Sequence, residues 1–476
     1  MIRTTKQTGL LILLLIMSAE AFSAGMTSHA MMGDRARFHL PPGHLLIPLL
    51  EAHRPALIAG AMFPDGGYFT GSGFPGDRDL AETAHWDSFT NALAGVAHDA
   101  GCGELKADAW DVLPVLGGTV DWLTNELGRE AAVIPLRYGE SCGYLVAFLM
   151  GIAAHGMGDE VWDALFEPTV YQRNEMQKSS PGYTLDAVPP GSDPSVGNAI
   201  REALGDDAFN ALAGGFEVIN GVEYAMDVIA IRDEFAWEEV PALVFPPMDY
   251  LVEAFKRIGK NDFDELAVQR AALGARMVVA AERVSAALDY VRVREQMPYS
   301  VHNHVRGSGG IEDSAKFIAG YYQHLWDRVV NGPDEAGKPF IVGVHPRPGE
   351  LGLPAIVCAN TGPFSNCEDD KRPEADRYIY VSMSGSMGSD YAELTDAFAV
   401  FDEDGNKLPV KFSTLPSWAS PMSAHGFRIE LLDKKLKPNH RYTVAVTTQL
   451  YDRRGPEDTN AKLAAPMVWH FTTGDE

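Results

Sequence analysis

The chain is short of cysteine, short of basic charge and, past its first two dozen residues, without a long apolar run. Four cysteines in 476 residues fit an oxidising compartment. Cys358 and Cys367 flank a short loop and could close it, leaving Cys102 and Cys142 as the other pair. Four cysteines allow three connectivities, so the pairing stays a preference and free buried thiols stay open. No segment after the leader reaches the ~18 uninterrupted apolar residues of a membrane span, which argues against a transmembrane helix in the mature chain. Lysine and arginine number 39 against 65 acidic residues, a net charge of −26. Such a surface repels phosphate backbones and anionic headgroups at long range and counts against nucleic acid as the main partner. Bound cations can reverse that sign locally. Histidine is absent between His155 and His302, a gap that matters below.

What is present begins with MIRTTKQTGLLILLLIMSAEAFSAG. Basic Arg3 and Lys6 precede an apolar run from Leu10 to Met17 and then small residues, the pattern of a secretory signal peptide. Cleavage after Ala21, Ser23 or Ala24 fits the small-residue rule. A cut after Ser23 removes Arg3, Lys6 and Glu20 and makes the net charge one unit more negative. The remaining composition, 46% hydrophobic and 22% charged, is that of a globular protein long enough for two or three domains.

Residues 24–333 read mainly as helix. Apolar residues recur at spacings of three and four in Gly43–Met62, Trp86–Ala97, Leu145–Leu165, Met248–Ile258, Glu265–Val291 and Ile311–Val330. Between Glu167 and Val196 the composition shifts to Pro, Ser, Gly and Asp, predicting a long loop or insertion. From about Pro339 the period changes to two. Alternating segments at Tyr378–Met383, Ala397–Phe401, Phe427–Leu431, Tyr442–Thr448 and Met467–Thr472, with turn signals between them, predict a small β-sandwich over residues 339–476.

Chemistry concentrates in LVAFLMGIAAHGMGDEVWDAL, residues 145–165. His155, Asp159 and Asp163 lie four apart, so a helix stacks them on one otherwise apolar face. Burying an imidazole and two carboxylates needs compensation, and a metal ion supplies it to all three together. The plainer alternative is a hydrogen-bonded core histidine with two aspartates reaching solvent. Further candidates are His29 in GMTSHAMMGDRARFHL, Asp65 after Pro64 at an expected helix end, and His85 beside Trp86 in ETAHWDSF. Singly, each also has an ordinary reading, as a surface histidine, a turn residue and a helix entry. His44, His53, His98, His302 and His304 read as structural.

Four motifs in order, TSH, LLEAHRPALIAGAMFPD, AHW and FLMGIAAHGMGDEVWDAL, resemble the zinc-dependent phospholipase C superfamily. Within it, they look like the catalytic domains of the glycosylphosphatidylinositol-specific phospholipase D type. The likeness continues weakly through VEYAMDVIAIRDEF and GGIEDSAKFIAGYYQHLWDRVVNG. The stretches DEDGNKLPV, LKPNHRYTVAV and VWHFTT resemble bacterial immunoglobulin-like modules. The resemblance implies an all-α catalytic domain over 24–333 followed by the sandwich, in a secreted or periplasmic bacterial protein. It implies zinc, with one ion on Asp65, His85 and His155 and a second on His29, Asp159 and the free amine and carbonyl of the mature first residue. That residue would be Ala24, five before His29, so signal removal would also complete the site. A third site departs from the pattern. The family's histidine position holds Asp163, and the later His-x-x-x-acid pair is matched by Ile219 and Glu223, with Asp227 a lesser candidate. All-oxygen ligands favour a harder divalent cation over zinc there.

The implied activity is hydrolysis of a phospholipid or glycolipid headgroup phosphodiester, of C or D type, by a metal-activated water with Asp65 as general base. Contact with a membrane would be peripheral. The alternatives are a single-strand-specific nuclease of the same superfamily and a non-catalytic lipid- or surface-binding relative.

Overall fold

The computed structural model describes residues 25–68, 77–104, 114–116, 136–166, 222–233, 243–332, 338–353, 379–388, 391–415, 425–432, 436–452 and 454–475. The chain forms two compact units. The first is drawn from residues 1–156, 177–304 and 328–333, and the second from 157–176, 305–327 and 334–476.

In the first unit, helices α1 (Met26–Ala36), α2 (Leu46–Ala52), α3 (Arg54–Gly66), α4 (Arg78–Ala84) and α5 (Asp87–Asp99) come first. They are followed by α6 (Cys142–Val161), α7 (Val222–Asp233), α8 (Met248–Arg257), α9 (Glu265–Gln296) and α10 (Pro298–Asn303). The ends follow local chemistry. Asp77 accepts from the backbone of Asp79 and Leu80 to start α4, and Asp264 accepts from Ala267 to start α9, each satisfying orphan N–H groups of a first turn. The single helix expected over Gly43–Met62 is two, broken at His53 with Pro55 in the first turn of α3, where proline needs no donor of its own.

The helical expectation for this region is coarse in one respect. Strands β1 (Pro114–Leu116), β2 (Arg137–Gly139) and β3 (Val244–Phe245) make a small sheet, antiparallel between the first two and parallel between β2 and β3. Two or three residues are too few to display a period, so no sequence pattern announces them.

Helix α3 is the hub of this unit and packs on α1, α4 and α9. Glycines bring its backbone unusually close to two neighbours. A Cβ on Gly60 would overlap the Phe148 carbonyl oxygen, one on Gly151 would overlap the Leu57 carbonyl oxygen, and Gly66 and Gly274 stand in the same relation between α3 and α9. A disulfide joins Cys102, just past α5, to Cys142 at the start of α6. Cys358 and Cys367 lie outside the described residues.

The second unit holds the end of α6, a π-helical turn over Trp162–Phe166, most of α11 (Ile311–Asn331) and two sheets. One sheet has the order β4 (Ile341–His345), β6 (Ile379–Met383), β10 (Gly426–Leu431), β9 (Val410–Leu415), all antiparallel. The other runs β5 (Leu351–Leu353), β12 (Met467–Thr473), β11 (Arg441–Val446), β7 (Phe398–Phe401), β8 (Lys407–Leu408), with only β5 parallel to its neighbour. Phe398 of β7 meets Phe412 of β9 and Phe427 of β10, each with ring centroids 5.4 Å apart, so the two sheets share a core. Strands β6 and β10 are buried along their whole length. Phe317 of α11 covers the outer side of that sheet at Tyr380, which helps explain why these strands have no exposed face. A short helix α12 (Tyr391–Ala397) leads into β7.

No helix among the described residues is long and apolar enough to cross a membrane. The loop expected at Glu167–Val196 lies outside them.

Candidate metal centre

His155 sits in the apolar run of α6 because the crossing at Gly60 and Gly151 carries α6 against α3. Its Nδ1 lies 2.7 Å from the carbonyl oxygen of Ala61 on α3. His85, at the C-cap of α4, places Nδ1 2.7 Å from the carbonyl oxygen of Ala81. A carbonyl only accepts, so each ring donates from Nδ1 and keeps its lone pair on Nε2. The two Nε2 atoms then face one another at 3.0 Å. Two lone pairs do not bond each other, so this arrangement calls for an electrophile: a proton on one ring or a metal ion ligated by both.

Asp65, one residue from the end of α3, closes the triangle. Its Oδ1 lies 3.3 Å from His85 Nε2 and 3.7 Å from His155 Nε2. All three side chains are buried. Donor atoms on one tetrahedral zinc, bound at about 2.0–2.1 Å, lie roughly 3.3 Å from each other, so nitrogen, nitrogen and oxygen at these spacings fit a divalent cation. His29 of α1 joins the group, its ring centroid 4.1 Å from that of His155. His29, Asp65 and His155 each offer a ligand atom within 4.8 Å of the others. Asp159 is half-buried one turn past His155 on the same continuous helix. The resemblance gives Asp65 to the ion of His85 and His155 and makes it a bridging or water-orienting carboxylate; in the structure Asp65 is within reach of both His85 with His155 and His29 with His155.

The other candidates fall differently. Asp163 lies in the π-helical turn after α6, and Glu223 lies in the first turn of α7. Ala24 is outside the described residues.

Behind His29 is a carboxylate pair that is more prominent than sequence reasoning made it. Asp227 of α7, 1% exposed, accepts from the backbone of Ser28 at 2.7 Å, from Ser28 Oγ at 2.6 Å and from the backbone of Thr27 at 3.2 Å. Glu282 of α9 accepts from Thr27 Oγ1 at 2.7 Å and is hydrogen-bonded to Asp227. Burial raises the Asp227 pKa against the opposing pull of its hydrogen bonds to Glu282 and Ser28. Burial, and after it the charge of Asp227, raises Glu282 well above the usual carboxylate range, with Asp65 adding to the effect. Asp227 was legible as the acid four residues past Glu223. Glu282 went unremarked, although a lone glutamate in the apolar stripe of VVAAERVSAALDYV was a usable signal.

Residues 371–473 match the family of the bacterial Ig-like domain. Phosphatidylinositol-glycan-specific phospholipase D of Bos taurus is similar to this chain, 28% identical over 161 residues, and its counterpart from Rattus norvegicus is 26% identical over the same length. Those alignments take in 33% of this chain and only 15% of each relative. Among solved structures, the N-terminal part of the bacterial S-layer protein SbsC aligns over 69% of this chain and 79% of its own, at 12% identity and a TM-score of 0.19. A longer SbsC structure, domains 1–6, gives 13% identity, 70% and 46% coverage and the same TM-score. At that score the likeness carries no argument about fold.

Proposed function

We propose that the protein is a zinc-dependent phosphodiesterase acting on the headgroup of a phospholipid or glycolipid, exported by its signal peptide, residues 1–23. Catalysis belongs to residues 24–333, and the sandwich at 339–476 is an accessory. The observation that carries this reading is the pair of Nε2 atoms on His85 and His155, 3.0 Å apart and flanked by Asp65. The name of the similar mammalian proteins, phosphatidylinositol-glycan-specific phospholipase D, supports the substrate class.

A bound divalent cation supplies Lewis acidity, acidifying water and offsetting charge on phosphoryl oxygens. His85 and His155, tethered through Nδ1, keep Nε2 turned inward without rotamer search. Asp65 is the acceptor for the proton of an attacking water, with Oδ1 already at the histidine pair. His29, Asp159 and the amine of a mature Ala24 are the proposed holders of a second ion. Asp163 and Glu223 are the proposed holders of a third, zinc or a harder cation. The apolar body of α6 keeps bulk water away and strengthens each of these interactions.

The test is metal analysis of the mature protein together with hydrolysis of a chromogenic choline or inositol phosphodiester. Bound zinc with turnover supports the proposal. Cleavage of single-stranded nucleic acid without lipid turnover would replace it with a nuclease, and stoichiometric lipid binding without turnover would leave a binding protein.

A further inference from the structure

Helix α1 delivers His29 to the centre, yet it supplies no side-chain cap for its own first turn. Its N-cap is Gly25, whose lack of a side chain leaves the first-turn N–H groups without a local acceptor. A helix start with unsatisfied donors frays. Here the acceptor comes from elsewhere in the chain. Asp227 takes the N–H groups of Thr27 and Ser28 together with the Ser28 hydroxyl, and its negative charge stands at the positive end of the helix dipole. Thr27 Oγ1 is held in turn by Glu282. Two residues in succession are thus fixed to α7 and α9, and the next residue is His29. A slip of this turn by one ångström moves the His29 ring relative to Asp65 and His155.

We propose that Asp227, seconded by Ser28, Thr27 and Glu282, is a positioning residue that caps α1 from another helix and sets the His29 ring against Asp65 and His155. It acts through the first turn of α1 and not by touching the cation. The inference rests on the metal-centre reading above.

The experiment uses the full mature chain and zinc as probe. Zinc affinity is read by competition with a chromogenic chelator, and the visible spectrum is recorded after cobalt replacement. Asp227→Ala is expected to weaken zinc roughly tenfold or more, the scale of losing a supporting group behind a ligand, and to alter the cobalt spectrum. Ser28→Ala is expected to weaken it to a smaller extent in the same direction. Asp227→Asn keeps one acceptor oxygen, enough for Ser28 at Oδ1 but not also for the Thr27 N–H at Oδ2, and is expected to restore part of the affinity. If Asp227→Ala fails to fold, Ser28→Ala and Asp227→Asn decide. Wild-type affinity and spectrum in the Ala and Ser28 variants would overturn the clamp. So would Asn binding as poorly as Ala with Ser28→Ala unaffected, since that pattern belongs to a direct ligand. A wild-type protein that binds no zinc would instead strike the metal-centre reading itself.

Discussion

His85 and His155 turn their Nε2 atoms toward each other at 3.0 Å while their Nδ1 atoms donate to helix carbonyls. The tautomers are thus imposed by backbone, one carbonyl from the helix preceding His85 and one from the helix crossing His155. Such an arrangement could hold a cation between the two rings.

Replacing His85 with alanine removes one of the two nitrogens but neither of the packing helices. Bound metal and phosphodiester hydrolysis are expected to fall together, by at least the roughly 10–100-fold that even an outer-shell loss costs. Far-UV circular dichroism should be unchanged. Metal analysis beside a hydrolysis assay checks it; wild-type metal content in this variant would remove His85 from the ligand set.

Gly151→Ala forces a Cβ into the Leu57 carbonyl and the Gly60 backbone. Overpacking a core costs about 1–3 kcal/mol when side chains can yield, and here the obstacle is backbone, so the loss should reach the upper end or beyond. Urea unfolding of the variant measures it. An unchanged midpoint would mean the helices separate freely.

Much of this was legible in the sequence, and the boundary between what was and was not is physical. Long amphipathic helices such as α5, α8, α9 and α11 announce themselves through period, and so do strands β7, β11 and β12. The close crossing of α3 and α6 did not, because a glycine in a helical run does not say which backbone it admits. Edge strands β4, β5, β8 and β9 are short or only partly buried and show little alternation. His29, Asp65, His85, His155 and Asp159 were picked out as residues because each is polar in apolar company or sits in an ordered motif. Their mutual distances, and the support of Asp227 and Glu282 behind them, depend on contacts up to 255 positions apart, which no local pattern encodes.

The disulfide between Cys102 and Cys142 closes a span of 40 residues. On the chain-entropy model such a loop is worth about 4 kcal/mol against the unfolded state. The Cys102→Ser, Cys142→Ser double variant should lose stability on that scale, and reducing agent should destabilise the parent but not the double variant. Thermal or denaturant unfolding with and without reductant reads both.

Glu282 gives the protein a pH dependence of definite sign. Its folded pKa is raised above the ordinary 4.5, so the folded state binds the proton more tightly than the unfolded chain does. The stability it confers is complete below the unfolded value and drains as pH rises through the folded one. Chelator-treated protein should therefore lose stability through this group as pH rises past the ordinary carboxylate range, and Glu282→Gln should lose less. Parallel unfolding curves for the two at each pH would refute the assignment.

A start site that retains residues before Ala24 should bind one metal fewer than the processed chain if the free amine is a ligand. Mass spectrometry under native conditions counts the ions. Equal counts in both forms would sink that role.

The Gly60 and Gly151 contact has one more consequence. Where side chains interdigitate, a distortion is absorbed by rotamer changes before it reaches the next helix, but two backbones in direct touch have no such cushion. A shift of α3 near Gly60 would meet the α6 backbone directly, four residues before His155, so the crossing ties together the two helices that carry Asp65 and His155.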